Sequence, residues 1–402
     1  MADPSLKIKA ENYLKYLCLD LPTRRVGSQG NRDANEFLAE KFASFGFKLE
    51  RQPFDCIDWT RGAATLCLNG EQFQVQVGPF TAGCDARAPL VVASSLDELE
   101  SADACDKILL LRGDLTREQL MPKNFPFYNP DEHKHIISLL ETKKPRAVLT
   151  ATARNPESAG AVYPFPLIED GDFDIPSAYM TEEEGTRLAS HTDELAALVI
   201  EAVRRPSSGF NLSARKGRPE RRVVFSAHID AKDNTPGALD NAAGVVVLLL
   251  LAELLKEYEG RIGIELVPFN GEDHYSAAGE ITYLRANESR LNQVLLNINM
   301  DGLGSHKGKT IYSLYECPDE LKAKIQKTFS TQSGFGEGPP WFQGDHMVFA
   351  MIGIPALALT SENFVEILTE IAHTPKDSPD LVDCEKLVKT AMTLQKLLAD
   401  FT

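Results

Sequence analysis

The sequence predicts an α/β fold with a doubly wound, mostly parallel central sheet, helices on both faces and a smaller mixed α and β inserted domain. Three features of the 402 residues carry this expectation. From Ser207-Ser208-Gly209 onward, short apolar runs alternate with helix-length segments, the pattern of strand–helix–strand units. Between about Thr60 and that point the texture is instead one of short β-like runs and many turns. Before it stand two amphipathic helical stretches, so the main sheet and an amino-terminal helical start flank the middle segment. The expected division is 1–58 with 209–402 for a discontinuous larger domain, and 59–208 for the insert.

Taken in order, Ser5 to Leu21 carries Leu6, Ile8, Tyr13, Leu14, Leu17 and Leu21 at roughly helical spacing, ended by Pro22. A turn-rich loop, Arg25-Val26-Gly27-Ser28-Gln29-Gly30, leads to a second helix with Ala34, Phe37, Leu38, Phe42 and Phe45 on one face, closed by Gly46. The insert has strand-like runs at Ala64–Leu68, Phe73–Val77, Leu90–Ala93 and Ile108–Leu111, and helix-like pieces at His133–Thr142 and Glu182–His191. In the main domain Val223–Ala227 reads as a buried strand and Ala242–Tyr258 as a buried helix. Strands Ile262–Phe269 and Val294–Met300, a helix Asp319–Phe329, a strand Ala356–Thr360 and a helix Asp383–Phe401 complete it.

Composition narrows the function. Forty-two basic against 58 acidic residues give a formal charge of −16, which argues against nucleic acid and anionic membrane as partners, since both rely on basic patches. The most apolar stretch, Val245 to Ala252, is stopped by Glu253, far short of the ~20 residues that span a bilayer. Seven scattered cysteines without a Cys-x-x-Cys fit free thiols in a reducing compartment. With no basic start and apolar run at the amino end, the expected location is cytoplasmic.

Five acidic or histidine clusters fall where strands end: His228-Ile229-Asp230, Asp240-Asn241, Glu272-Asp273, Asp301 and His373-Thr374-Pro375-Lys376-Asp377. Ligands of open α/β sheets bind at the carboxyl ends of strands, so the five can converge. Two imidazoles (His228, His373) and three carboxylates (Asp240, Asp273, Asp301) suit zinc. Five ligands crowd one ion. If Asp240 bridges two, each ion has three protein ligands and an open position. Asp230 lies two residues from His228, on the same face of an extended strand, and can accept its second ring proton. Glu272 and Asp273 are adjacent and their side chains diverge, so one can hold metal while the other serves as general base. Any one of these acids alone would read as a solvated charge or a helix cap.

These residues resemble the co-catalytic dizinc aminopeptidases, the family that includes aminopeptidase Y and glutamate carboxypeptidase II. The likeness rests on His228-x-Asp230, Asp240-Asn241-Ala242-Ala243-Gly244, Asn270-Gly271-Glu272-Asp273, Asn299-Met300-Asp301-Gly302-x-Gly304 and His373-Thr374-x-x-Asp377. Arg25-x-Gly27-Ser28, Gly344-Asp345-His346 and Gly353-Ile354-Pro355-Ala356 support it. The resemblance implies one zinc on Asp240, Asp273 and His373, and a second on His228, Asp240 and Asp301, with cobalt or manganese as substitutes. It also implies Glu272 as general base, Asp230 as the orienter of His228 and a cis peptide at Asp240–Asn241. Many relatives have Glu-Glu where this chain has Glu272-Asp273. The middle segment is similar in texture to the protease-associated domain that several members carry there.

The implied activity is that of an aminopeptidase acting on peptides with a free amino terminus, with Asp301 placed to hold the α-amino group and a homo-oligomer compatible with the sequence. Alternatives are a single-zinc glutaminyl cyclotransferase, a dipeptidase or carboxypeptidase of the same fold, and a non-catalytic binding protein. The last is disfavoured because every ligand position holds a competent residue. His133-Lys134-His135 is read as solvated surface, since neighbours two apart do not share a helix face. His346 is read as site wall rather than ligand, and contact with substrate is the minor reading for His274. Arg215-Lys216-Gly217-Arg218-Pro219-Glu220-Arg221-Arg222 is read as an exposed hairpin turn.

Overall fold

The structure is a computed structural model that describes residues 4–21, 23–154 and 163–401. Pro22, expected to end the first helix, lies outside the described residues, as do Met1–Asp3. Two compact units result, one of Met1–Cys56 with Ser208–Thr402, the other of Ile57–Ser207.

The larger unit is built on a mostly parallel sheet. Its strand order is Phe335–Glu337, Thr310–Tyr315, Ala356–Ser361, Val294–Met300, Arg222–His228, Gly263–Phe269, then the end of Leu195–Lys216. Arg222–His228 pairs in parallel with Gly263–Phe269 on one side and Val294–Met300 on the other. Thr310–Tyr315 runs antiparallel to Ala356–Ser361 but parallel to Phe335–Glu337, and Ala214–Lys216 runs antiparallel to Gly263–Phe269. Every residue of Arg222–His228 and Gly263–Phe269 is buried, as expected of parallel strands covered on both faces.

Alternation sorts the two faces. Leu357 and Leu359 join the large core with the helices Pro4–Lys15, Ala243–Leu254 and Cys384–Ala399. Ala356 and Ala358 face the other way, toward Tyr315, Trp341 and Ala350. The helix Ala243–Leu254 is buried at every position from Ala243 to Ala252, which explains its uniformly apolar sequence.

The smaller unit orders its strands as the start of Leu195–Lys216, then Cys84–Ala93, Ile108–Leu111, Ala147–Thr152, Ser177–Thr181 and Gln76–Val77. Its inner pairings are parallel and its outer ones antiparallel.

Ser207-Ser208-Gly209, where the sequence pattern changes, lies within the strand Leu195–Lys216. Gly209 is there because a β-carbon would stand 2.8 Å from the Phe54 ring. Two local readings, of the basic run and of His133, are corrected. The basic run is not a hairpin turn, because Gly263–Phe269 lies between the strands it connects. Arg215 and Arg222 instead converge on buried Glu265, at 2.8 and 2.6 Å. In the smaller unit His133 is buried rather than solvated, its Nδ1 accepting the Met121 N–H at 3.1 Å, whereas His135 is exposed. Among the described residues no helix is long and apolar enough to cross a membrane, and all seven cysteines are free.

Candidate metal centre

Strand order sets the site. The chain lays Gly263–Phe269 on one side of Arg222–His228 and then returns to lay Val294–Met300 on the other. Such a reversal leaves a crevice at the carboxyl ends of the strands. His228 ends the central strand, Glu272 and Asp273 follow Phe269, Asp301 follows Met300, and His373 lies beyond Ser361.

The five expected ligands meet there as two overlapping groups, His228 with Asp240 and Asp301, and Asp240 with Asp273 and His373, each with ligand atoms within 4.8 Å of one another. Nε2 of His228 is 3.0 Å from Asp240 Oδ1, 3.6 Å from Asp301 Oδ1 and 3.9 Å from Glu272 Oε2. Nε2 of His373 is 3.1 Å from both Asp240 Oδ2 and Asp273 Oδ1. One ring nitrogen carries at most one proton, so neither imidazole can satisfy all the carboxylates it faces. Asp273 Oδ2 is buried without a hydrogen-bond partner, which is costly unless a cation compensates. Nitrogen and oxygen donors of this kind fit zinc. The shorter Asp273 still reaches His373.

The electrostatics follow from burial and crowding. Burial alone would lower His228, but the carboxylates of Glu272, Asp240 and Asp301 outweigh it and raise it well above the usual histidine range. His373 is raised in the same way, burial opposing and Asp273 and Asp240 prevailing. Asp240 is held low against its burial by the two imidazoles. Glu272 is pushed well up, first by burial and then by Asp273, Asp301 and Asp240, with His228 opposing.

Backbone geometry is set by side chains outside the ligand set. The Asp240–Asn241 peptide is cis, as the resemblance implies. Asn241 Nδ2 donates to the Met300 carbonyl at 2.8 Å and its Oδ1 accepts the Gly244 N–H at 3.1 Å, tying the residues beside Asp240 and Asp301 together. Asp230 differs in detail from its expected part. Its carbonyl oxygen accepts from His228 Nδ1 at 3.2 Å, while its carboxylate lies 3.8 Å from that nitrogen. The carboxylate instead accepts the N–H groups of Gly271 at 2.9 Å and Asp273 at 3.1 Å, on either side of Glu272. Glu272 and Asp273 therefore diverge from a fixed backbone.

Several supporting residues were not legible from the sequence. Arg24, fully buried, donates to the carbonyls of Leu17, Ile229, Pro236 and Gly237 at 2.7, 3.0, 2.9 and 2.8 Å. It thus braces the loop that joins His228 to Asp240, whereas Arg25, the residue marked by its motif, lies 3.8 Å from Asp233. Asn31 and Asn211 hold Asn270, just before the Glu272 turn. Their only sequence signal is that short polar side chains beside turns often bond to backbone.

His346 is fully buried, and its Nε2 donates to the Trp341 carbonyl at 3.0 Å. Burial pushes it down to about 4. The Tyr315 hydroxyl accepts the Trp341 N–H at 2.7 Å and donates to the same carbonyl at 2.5 Å. Trp341 so held packs on Phe364, ring centroids 4.8 Å apart. His274 is buried with Nδ1 3.0 Å from Ser276 Oγ, and burial first, then Lys232 and Arg25, push it down to about 3.

Comparison with known proteins agrees with this chemistry. Residues 211–398 match the model of peptidase family M28. Aminopeptidase YwaD of Bacillus subtilis (strain 168) is 24% identical over 389 residues, covering 90% of this chain and 78% of that protein. The solved structure of BSAP, a zinc aminopeptidase from Bacillus subtilis, superposes with a TM-score of 0.74 at 20% identity, over 98% of this chain and 94% of that one. Porphyromonas gingivalis glutaminyl cyclase shares the fold more loosely, with a TM-score of 0.52 at 14% identity over 98% of both chains.

Proposed function

We propose that the chain is a zinc metallopeptidase of peptidase family M28 and that it removes the amino-terminal residue of peptides at a pair of zinc ions, with Glu272 as general base. The observation that carries the two-ion reading is the position of Asp240, with a different imidazole 3.0 and 3.1 Å from each of its oxygens. His228 and Asp301 would complete one site, and Asp273 and His373 the other. When bound, zinc supplies the Lewis acidity that polarises the scissile carbonyl and acidifies water.

The chain's own residues do the rest. Glu272, partly exposed and 3.9 Å from His228 Nε2, takes the proton of the attacking water and passes it to the leaving amine. Asp230 keeps that carboxylate aimed by fixing the N–H groups of Gly271 and Asp273. A free α-amino group finds its partner in Asp301. A β-carbon at Gly344 would stand 3.2 Å from Asp301 Oδ2, so the bare glycine keeps that oxygen approachable. The inserted unit contributes none of the five ligands, and we read it as protease-associated-like.

A single-zinc glutaminyl cyclotransferase is the second reading, favoured by the shared fold with the glutaminyl cyclase. The test is a panel of aminoacyl anilides and amino-terminally blocked peptides, with and without chelator. Chelator-sensitive release of free amino acids from the unblocked substrates alone is expected. Cleavage of blocked peptides only, or formation of pyroglutamyl ends, would overturn the reading.

A further inference from the structure

The loop between His228 and Asp240 carries a cation that the mechanism above leaves unused. Nζ of Lys232 lies 3.9 Å from Asp273 Oδ1, with the lysine side chain 23% exposed and the aspartate side chain 4%. Lys232 stands two residues after Asp230, in the segment whose ends Arg24 grips at the carbonyls of Ile229, Pro236 and Gly237. The ammonium is therefore presented at the mouth of the site by a braced backbone.

Its electrostatic surroundings change when the site is loaded. A divalent ion on Asp273 takes up the carboxylate charge that faces Lys232, which leaves the ammonium beside a positive centre. An anion placed next to Lys232 then gains from both charges. A lysine ammonium is a compact point charge with three donors, suited to a single carboxylate oxygen. Distance selects which carboxylate. One extended residue spans about 3.3–3.6 Å, so a group one residue beyond the scissile carbonyl falls within reach of a nitrogen 3.9 Å from a ligand oxygen.

We propose that Lys232 is a specificity-determining residue that binds the carboxylate lying one residue beyond the scissile bond, and so favours dipeptides, whose free terminal carboxylate sits there. This rests on the exopeptidase reading. An acidic side chain on the second residue presents the same chemistry and is separated from it by the substrates chosen.

The experiment compares Ala-Ala, Ala-Ala-amide, Ala-Asp-amide and Ala-Asn-amide on the zinc-loaded wild type, Lys232→Met and Lys232→Arg. The expected result is a preference of about tenfold for Ala-Ala over Ala-Ala-amide, carried by KM, as one charge-assisted hydrogen bond supplies. It should vanish in Lys232→Met, with Ala-Ala-amide turnover unchanged, and largely return in Lys232→Arg. Equal use of Ala-Ala and its amide, or a preference that survives Lys232→Met, would overturn the proposal. A preference only for Ala-Asp-amide over Ala-Asn-amide would overturn the dipeptide assignment. Calorimetric titration of an Ala-Ala analogue with a reduced scissile bond, and of its amide, gives the same comparison without turnover. Loss of turnover on every substrate with the binding preference intact would count against the exopeptidase reading alone.

Discussion

The carboxylate of Asp377 accepts the backbone N–H of Asp240 at 3.0 Å. Its other oxygen accepts the N–H of Leu239 at 2.7 Å. A residue four positions after one imidazole ligand thus fixes the backbone of the aspartate that stands between both imidazoles. Replacing Asp377 by Asn puts an N–H₂ donor against one of those N–H groups. We expect zinc affinity in Asp377→Asn to fall about 10–100-fold, measured by competition with a chromogenic chelator. Unchanged affinity would show that the Asp240 backbone is held by other means.

Glu272 should be separable from metal binding. Glu272→Gln keeps the shape but not the basicity, so zinc content is expected to match the wild type while kcat falls by about 10²–10⁴. Elemental analysis and initial rates on the same preparation decide this. A variant with near wild-type turnover would remove Glu272 from the mechanism.

Metal removal should be visible in stability as well as activity. Without a cation, Asp240, Asp273 and Asp301 crowd the same pair of imidazoles, and a ligand that binds only the folded state stabilises it by about 4 kcal/mol at a thousand times its Kd. Chelation is expected to lower Tm by roughly 5 °C or more and zinc to restore it. A Tm indifferent to chelator would mean that the centre does not hold metal in the folded protein.

His346 gives the stability a specific acid limb. It is buried neutral, with its pKa pushed down to about 4 from an unfolded value near 6.5. A depressed histidine contributes fully above the unfolded value and loses that contribution as pH falls toward the folded one. The expected loss between pH 6.5 and 4 is about 3 kcal/mol. His346→Phe keeps a ring against Tyr315 and Trp341 but cannot titrate. Urea unfolding of both proteins across this range should show a shallower fall in the variant, and equal slopes would refute the assignment.

Much of the fold was legible because parallel strands buried on both faces must be continuous apolar runs. Ile108–Leu111, parallel to both neighbours and buried at every position, announces itself in this way. The strands Lys48–Leu68 and Leu195–Lys216 do not. Over much of their length they are exposed, polar and interrupted by Pro and Gly, and only pairing partners distant in sequence make them strands. Likewise His133 looks like surface until the Met121 backbone closes over it. At the site, the residues that gather are those whose chemistry is written in their type, such as His228 and Asp301 at strand ends. Arg24 and Asn211 act on backbone carbonyls and N–H groups more than 50 residues away in sequence, and spacing carries no record of such a partner. The carboxylate of Asp230 was placed near its neighbour His228, yet its hydrogen bonds go to Gly271 and Asp273.

The most direct test of the two-ion account is anomalous diffraction at the zinc edge from crystals of the zinc-loaded protein. The account predicts two peaks, one on each side of the Asp240 carboxylate, the first beside His228 and Asp301 and the second beside Asp273 and His373. A single peak at full occupancy, with the other group empty in excess zinc, would contradict it.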